Sequence, residues 1–119
     1  MRRNDEELVQ RAIVQHLRLR AKPGVVFLHV PNGEHRSKAT GGRLKAMGVR
    51  AGVFDLILFL PGPVTFCLEL KADGGKMSPA QLRFAEDLNE IGIGWACAWT
   101  LDDALKILEA VGAIRPEAI

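Results

Sequence analysis

Residues 52–71 read GVFDLILFLPGPVTFCLELK. Two apolar runs, Val53–Leu60 and Val64–Lys71, flank the tight Pro61-Gly62-Pro63 turn. Runs rich in Phe, Leu, Ile and Val, bounded by Pro and Gly, are the pattern of a buried β-hairpin. Three charges interrupt it: Asp55, Glu69 and Lys71. A buried charge costs several kcal/mol or more unless it is paired, hydrogen-bonded or bound to a metal. Strand side chains alternate faces, so Glu69 and Lys71 share one side and Leu70 takes the other. Pairing through the turn brings Asp55 near Glu69, and two carboxylates and a lysine then converge at the edge of an apolar sheet.

Downstream, 72–77 forms a glycine-containing loop. Its GGK resembles a fragment of a phosphate loop, but position 70 is Leu and Met77 follows the lysine, so GxxxxGK[ST] is absent. Ser78-Pro79-Ala80-Gln81 then opens a helix, with Ser at the cap, Pro at the first helical position and Gln completing a capping box. Leu82, Phe84, Ala85, Leu88 and Ile91 supply its apolar positions. Gln81 shares a face with Ala85 and Leu88, so it serves the cap, the sheet or both. Gly92–Trp99 reads as a last strand, with Trp95, Cys97 and Trp99 alternating onto one face as core or subunit-interface residues. Asp102–Val111 reads as a closing helix, with Leu101, Ala104, Leu105 and Leu108 inward.

Upstream, residues 5–20 carry an apolar stripe of Val9, Ala12, Ile13, His16 and Leu17 at helical spacing. Asn4 is placed to cap this helix, and Asp5, Glu6 and Glu7 suit its positive end. At about 100° per residue, Glu6 falls in the middle of the stripe, Gln10 close to it and Glu7 on the flank. Glu6 and Gln10 are therefore expected inward and Glu7 in water, with dipole compensation by all three acids as the plainer alternative. Val25–Val30 reads as a first strand. The polar segment PNGEHRSKATGGRLKAMG follows, with turns expected at Asn32-Gly33 and Gly41-Gly42 and one helical turn around Arg43–Met47. His16, His29 and His35 are too irregularly spaced for a metal site, and His35 is the one placed to touch a phosphate.

The order is α–β–β–β–α–β–α, an α/β mixed sheet flanked by helices. With 119 residues and a hydrophobic share of 48%, the chain is expected to be a single domain, 1–119, with a real core. No apolar run approaches the roughly 20 residues of a membrane helix, and MRRNDEE turns acidic where a signal peptide would turn apolar. A soluble, unexported, cytoplasmic protein is expected. Cys67 and Cys97 lack metal or CxxC spacing and read as buried thiols of a reducing compartment. The net charge is +2, yet residues 34–50 alone carry Arg36, Lys38, Arg43, Lys45 and Arg50 against Glu34, a local +4. Beside a carboxylate site, such a segment points to a polyanionic partner; a solvated loop is the bland alternative.

The spacing D-x13-E-x-K of Asp55, Glu69 and Lys71, with Gln81 on the following helix, resembles the PD-(D/E)xK nuclease superfamily. E-x-x-x-Q (Glu6, Gln10) and a PN element before the basic loop narrow the resemblance. So do K-A-M-G-V-R-A-G-x-x-D-L, E-L-K-A-x-G-G-K-M-S-P-x-Q and a final G-x-x-x-A-x-x-L-D-D. Together they resemble the VRR-NUC family, the virus-type replication-repair nucleases, in its small stand-alone form, over nearly the whole chain. Phe54 departs from the pattern, standing where the superfamily's proline usually precedes the aspartate.

The resemblance implies a restriction-endonuclease-like αβββαβ core and a Mg²⁺- or Mn²⁺-dependent endodeoxyribonuclease with one or two ions. It implies Asp55, Glu69 and the Leu70 carbonyl as metal ligands, and Glu6, with Glu7 the other candidate, for a second metal or its water. Lys71 would orient or deprotonate the attacking water or stabilise the transition state. Gln81 would position that water or the lysine, and Gln10 would support the site. No base-reading module is visible, so Asn32, His35, Arg36, Lys38, Arg43, Lys45 and Arg50 are expected to meet the DNA backbone. The family further implies a homodimer acting on branched DNA, as Holliday-junction resolvases do, in a bacterial or phage-infected cell. Two alternatives remain open: a non-catalytic DNA-binding scaffold on a nuclease fold, and a restriction-type enzyme with sequence specificity.

Overall fold

A computed structural model describes residues 3–31 and 38–117. The elements run α1 (Arg3–Arg20), β1 (Val26–His29), α2 (Lys38–Ala46), β2 (Leu56–Leu60), β3 (Val64–Leu70), α3 (Pro79–Glu90), β4 (Gly94–Ala98) and α4 (Leu101–Ala110). The four strands form one mixed sheet in the order β1-β2-β3-β4. The first three are antiparallel neighbours, and β4 returns through α3 to lie parallel to β3. The α/β fold class read from the sequence is the fold observed, and no described helix is long and apolar enough to cross a membrane.

Strand alternation divides the apolar residues between two cores. On one face Leu56, Leu58, Leu60, Phe66, Leu68 and Leu70 pack with Ile13 and Leu17 of α1 and Ala104 and Leu108 of α4. On the other, Cys67 packs with Ala85 and Leu88 of α3 and with Phe54, which is fully buried. Phe54 meets Phe84 and Trp95 edge-on, at centroid distances of 5.2 and 5.6 Å, a geometry favoured by the ring quadrupoles. Phe54 thus fastens the segment leading into Asp55 onto α3 and β4.

Ser78 caps α3 as expected: its Oγ accepts from the Gln81 amide at 3.1 Å, and Gln81 Oε1 accepts from the Ser78 amide at 2.9 Å. At the other end Gly92 (φ +78°) lets the Ile93 amide reach the Leu88 carbonyl, the left-handed stop that glycine adopts without steric cost.

The structure corrects several expectations. α2 spans Lys38–Ala46, so Gly41-Gly42 lies inside a helix and not in a turn; nothing in the packing requires glycine at either position. α1 begins at Arg3, which places Asn4 within the first turn and not at the cap. The hairpin strands are shorter than the apolar runs: β2 starts at Leu56 and β3 ends at Leu70, leaving Asp55 and Lys71 just outside. The last strand is Gly94–Ala98, so Trp99 lies beyond it, 40% exposed, with its indole donating to the Gly75 carbonyl. Trp95 is partly buried and donates to Asn89 Oδ1.

Candidate active site at the open end of the hairpin

The β2–β3 ladder closes on the pair Leu56–Leu68. Beyond it, side chains replace backbone pairing. The Asp55 carboxylate accepts the Leu70 amide on Oδ2 at 2.8 Å, and the Asp55 amide donates to Glu69 Oε1 at 3.2 Å. Glu69 Oε2 accepts from Gln81 Nε2 at 2.8 Å and lies 3.6 Å from Lys71 Nζ. The Lys71 amide donates to the Ala98 carbonyl, which anchors the lysine's backbone on β4. Asp55, Glu69, Leu70, Lys71 and Gln81 are thereby brought together.

Gln81 does two jobs with one amide. Its oxygen completes the α3 cap and its nitrogen holds Glu69, so the geometry fixes which way the amide points. Gly52 sets where that helix begins. It has φ +86°, and a Cβ there would stand 2.4 Å from the Ala80 carbonyl carbon and 2.8 Å from the Gln81 amide nitrogen. The loop that delivers Asp55 therefore lies directly on the turn that delivers Gln81.

Glu69 is only 3% exposed. Burial, and then the neighbouring Asp55, push its carboxyl up to about 8, against a smaller opposing pull from Lys71. Burial also raises Asp55, opposed first by the Leu70 amide. The buried Glu69 and the half-buried Asp55 thus both resist ionising side by side, and the Lys71 ammonium offsets this only in part. Cys97 stands opposite Glu69 in the β3–β4 register; burial, with Glu69 next, pushes its thiol up to about 11, so it is a neutral neighbour. Cys97 and Cys67 are both free thiols.

No family model and no curated protein matches the chain. Solved structures do. A VRR_NUC domain protein aligns with a TM-score of 0.72 at 23% identity, over 88% of this chain and 85% of that one. The fold is that of the VRR_NUC domain. A second VRR_NUC domain aligns with a TM-score of 0.62 at 22% identity, over 87% of this chain and 94% of its own. The family resembled by the sequence motifs is thus the one whose solved domains share this fold.

Within the VRR_NUC fold the other expected site residues stand as follows. Glu7 faces water and pairs with Arg11 at 3.4 Å, whereas Glu6 is partly buried. Among the described residues, no hydrogen bond or ion pair joins Glu6 or Gln10 to the Asp55–Glu69 cluster. Gln10 Oε1 is nevertheless buried and, among the described residues, without a hydrogen-bond partner, a condition that costs about 1–3 kcal/mol. No described group of three or more His, Cys, Asp or Glu stands in ligand geometry; the side-chain oxygens drawn together are those of Asp55 and Glu69.

Of the basic residues, Arg43 and Lys45 are exposed on the last turn of α2, and Lys38 begins that helix. Arg50 is engaged elsewhere, ion-paired with Asp87 and lying 5.1 Å over the Phe84 ring. Asn32, His35 and Arg36 lie outside the described residues. One neighbour was not singled out for the site from the sequence: His29, whose Nδ1 is 2.8 Å from the Asp55 carbonyl oxygen. The β1–β2 register brings it there, since His29 pairs with Leu56 and so lies level with the site; no spacing in the sequence signals that pairing.

Proposed function

We propose that the chain, 1–119 as one nuclease domain, is a VRR-NUC member that hydrolyses phosphodiester bonds in branched DNA as a Mg²⁺- or Mn²⁺-dependent endonuclease. The observation carrying this reading is the Asp55–Glu69 pair, half-buried and buried, tied to the Leu70 amide and flanked by Lys71 and Gln81.

The residues fit a hard divalent cation. Carboxylate and carbonyl oxygens are its preferred donors, and the Lys71 ammonium only partly offsets the resistance of the two carboxyls to ionising side by side. Asp55, Glu69 and the Leu70 carbonyl would hold the ion, with Glu6 serving a second ion or an ordered water. Bound there, it would supply Lewis acidity toward a phosphate oxygen and ease deprotonation of the attacking water. Lys71 holds an ammonium beside Glu69, placed to orient the attacking water and to offset charge developing on the phosphoryl oxygens. Gln81 keeps Glu69 Oε2 in position. Arg43 and Lys45, with Lys38 and Arg36, would neutralise DNA phosphates, and His35 and Asn32 would hydrogen-bond to the DNA backbone; Arg50 serves chiefly to seat α3.

Recognition through backbone charge and DNA shape suits a branched substrate, and a homodimer would address two strands at once. The two free thiols accord with a reducing bacterial or phage-infected cytoplasm. The test is a labelled four-way junction and a matched linear duplex, each with Mg²⁺, Mn²⁺ or EDTA, alongside the mass of the protein in solution. Paired, metal-dependent nicks across the junction by a dimer support the proposal. A junction bound but left intact with every metal favours a non-catalytic scaffold, and cleavage confined to one duplex sequence favours a restriction-type enzyme.

A further inference from the structure

We propose that His29 is a positioning residue that holds Asp55 in place from the opposite face of the sheet. The role rests on the metal-dependent reading above. Asp55 lies one residue before the β2 ladder, and its main chain is held at both ends. Its amide donates to Glu69, and its carbonyl accepts two hydrogen bonds of 2.8 Å, one from the Val30 amide and one from His29 Nδ1.

A carbonyl oxygen has two lone pairs and only accepts, so both are used and Nδ1 carries the hydrogen. The register places His29 with Leu56 on the α1–α4 face, whereas the Asp55 carboxylate reaches toward the α3 face with Glu69. His29 thus grips the peptide of Asp55 without standing among the donor oxygens.

Its own setting does not explain its identity. His29 is exposed and belongs to neither core cluster. Many side chains would satisfy the end of an edge strand. Few would place an N–H on the Asp55 carbonyl. Groups that orient metal ligands from behind commonly set affinity as strongly as some ligands do.

The test is Mn²⁺ titration by calorimetry on the full chain, with thermal midpoints of the metal-free proteins, for wild type, His29→Ala, His29→Asn and His29→Gln. His29→Ala is expected to weaken Mn²⁺ binding on the order of tenfold while its metal-free midpoint stays near wild type. Asn presents its amide nitrogen close to where Nδ1 lies and is expected to restore most of the affinity. Gln presents it nearer the Nε2 position and is not. Wild-type affinity in His29→Ala, a loss that merely tracks the thermal midpoint, or better rescue by Gln than by Asn would each overturn the assignment. A wild-type chain that binds no Mn²⁺ at all would overturn the metal-dependent reading, and this role with it.

Discussion

Asp55 and Glu69 hold each other across the open end of the β2–β3 ladder: the Asp55 amide donates to Glu69 Oε1 at 3.2 Å, while the Asp55 carboxylate takes the Leu70 amide. The hairpin thereby ends not in frayed backbone but in a buried and a half-buried carboxyl group facing one another. With Lys71 offsetting it only in part, this arrangement is electrostatically unfavourable, and that has a consequence for stability.

The Glu69 carboxyl is raised from 4.5 to about 8 in the folded chain. Between those values the folded state holds a proton that the unfolded state has released. The associated stability is complete below about pH 4.5 and is lost as pH rises through 8. Metal-free wild type should therefore weaken from pH 5 to pH 8.5, on the order of 1–3 kcal/mol after relaxation of the buried pair. Glu69→Gln should flatten that slope. Urea midpoints at pH 5, 7 and 8.5 measure both, and equal slopes would contradict the account. Mn²⁺ binding near pH 7 should also release a proton, visible as a buffer-dependent calorimetric heat.

Ser78 and Gln81 share a capping box, but only Gln81 reaches Glu69. Ser78→Ala should cost about 1 kcal/mol of stability and leave the cleavage rate close to wild type. Gln81→Ala should cost a similar stability and in addition lower the rate on the order of tenfold or more. Denaturation curves beside single-turnover rates separate the cap from the site.

Gly52 touches the first turn of α3 through backbone alone, at positive φ. Gly52→Ala meets both a strained conformation and a clash with main-chain atoms, and should destabilise by about 2–4 kcal/mol. Because the clash falls on Ala80 and Gln81, the surviving folded protein should also cleave more slowly. A thermal midpoint unchanged from wild type would show that the close approach is absent.

Arg43 and Lys45 are exposed on α2, whereas Arg50 is paired with Asp87. Arg43→Ala with Lys45→Ala should reduce the salt slope of DNA binding by about 2, since each phosphate contact contributes roughly one counterion. Arg50→Ala should change that slope less and stability more. Fluorescence-anisotropy titrations across salt concentrations distinguish them.

The central hairpin was legible because its turn, apolar runs and period-2 alternation all agree, and those same rules place Asp55, Glu69 and Lys71 together. The α3 start was legible from four residues, Ser78 to Gln81. What pattern rules miss is tertiary. The end of the ladder at Leu56 depends on side chains capturing backbone amides. Gly41-Gly42 reads locally as a turn, and α2 overrides it. Phe54 reads as one more strand residue, and only the positions of Phe84 and Trp95 show it as the anchor of α3. The double use of Gln81 needs the distance between the helix cap and the sheet, which no spacing in the chain states.

The most direct measurement is cleavage of the labelled four-way junction by Lys71→Ala beside wild type, in Mg²⁺ and Mn²⁺, with thermal midpoints and junction affinity determined on the same samples. If the ammonium 3.6 Å from Glu69 acts in the reaction as proposed, the variant should fold and bind the junction while cleaving it on the order of a hundred- to a thousandfold more slowly. A variant that cleaves as fast as wild type would contradict the placement of the active site at the open end of this hairpin.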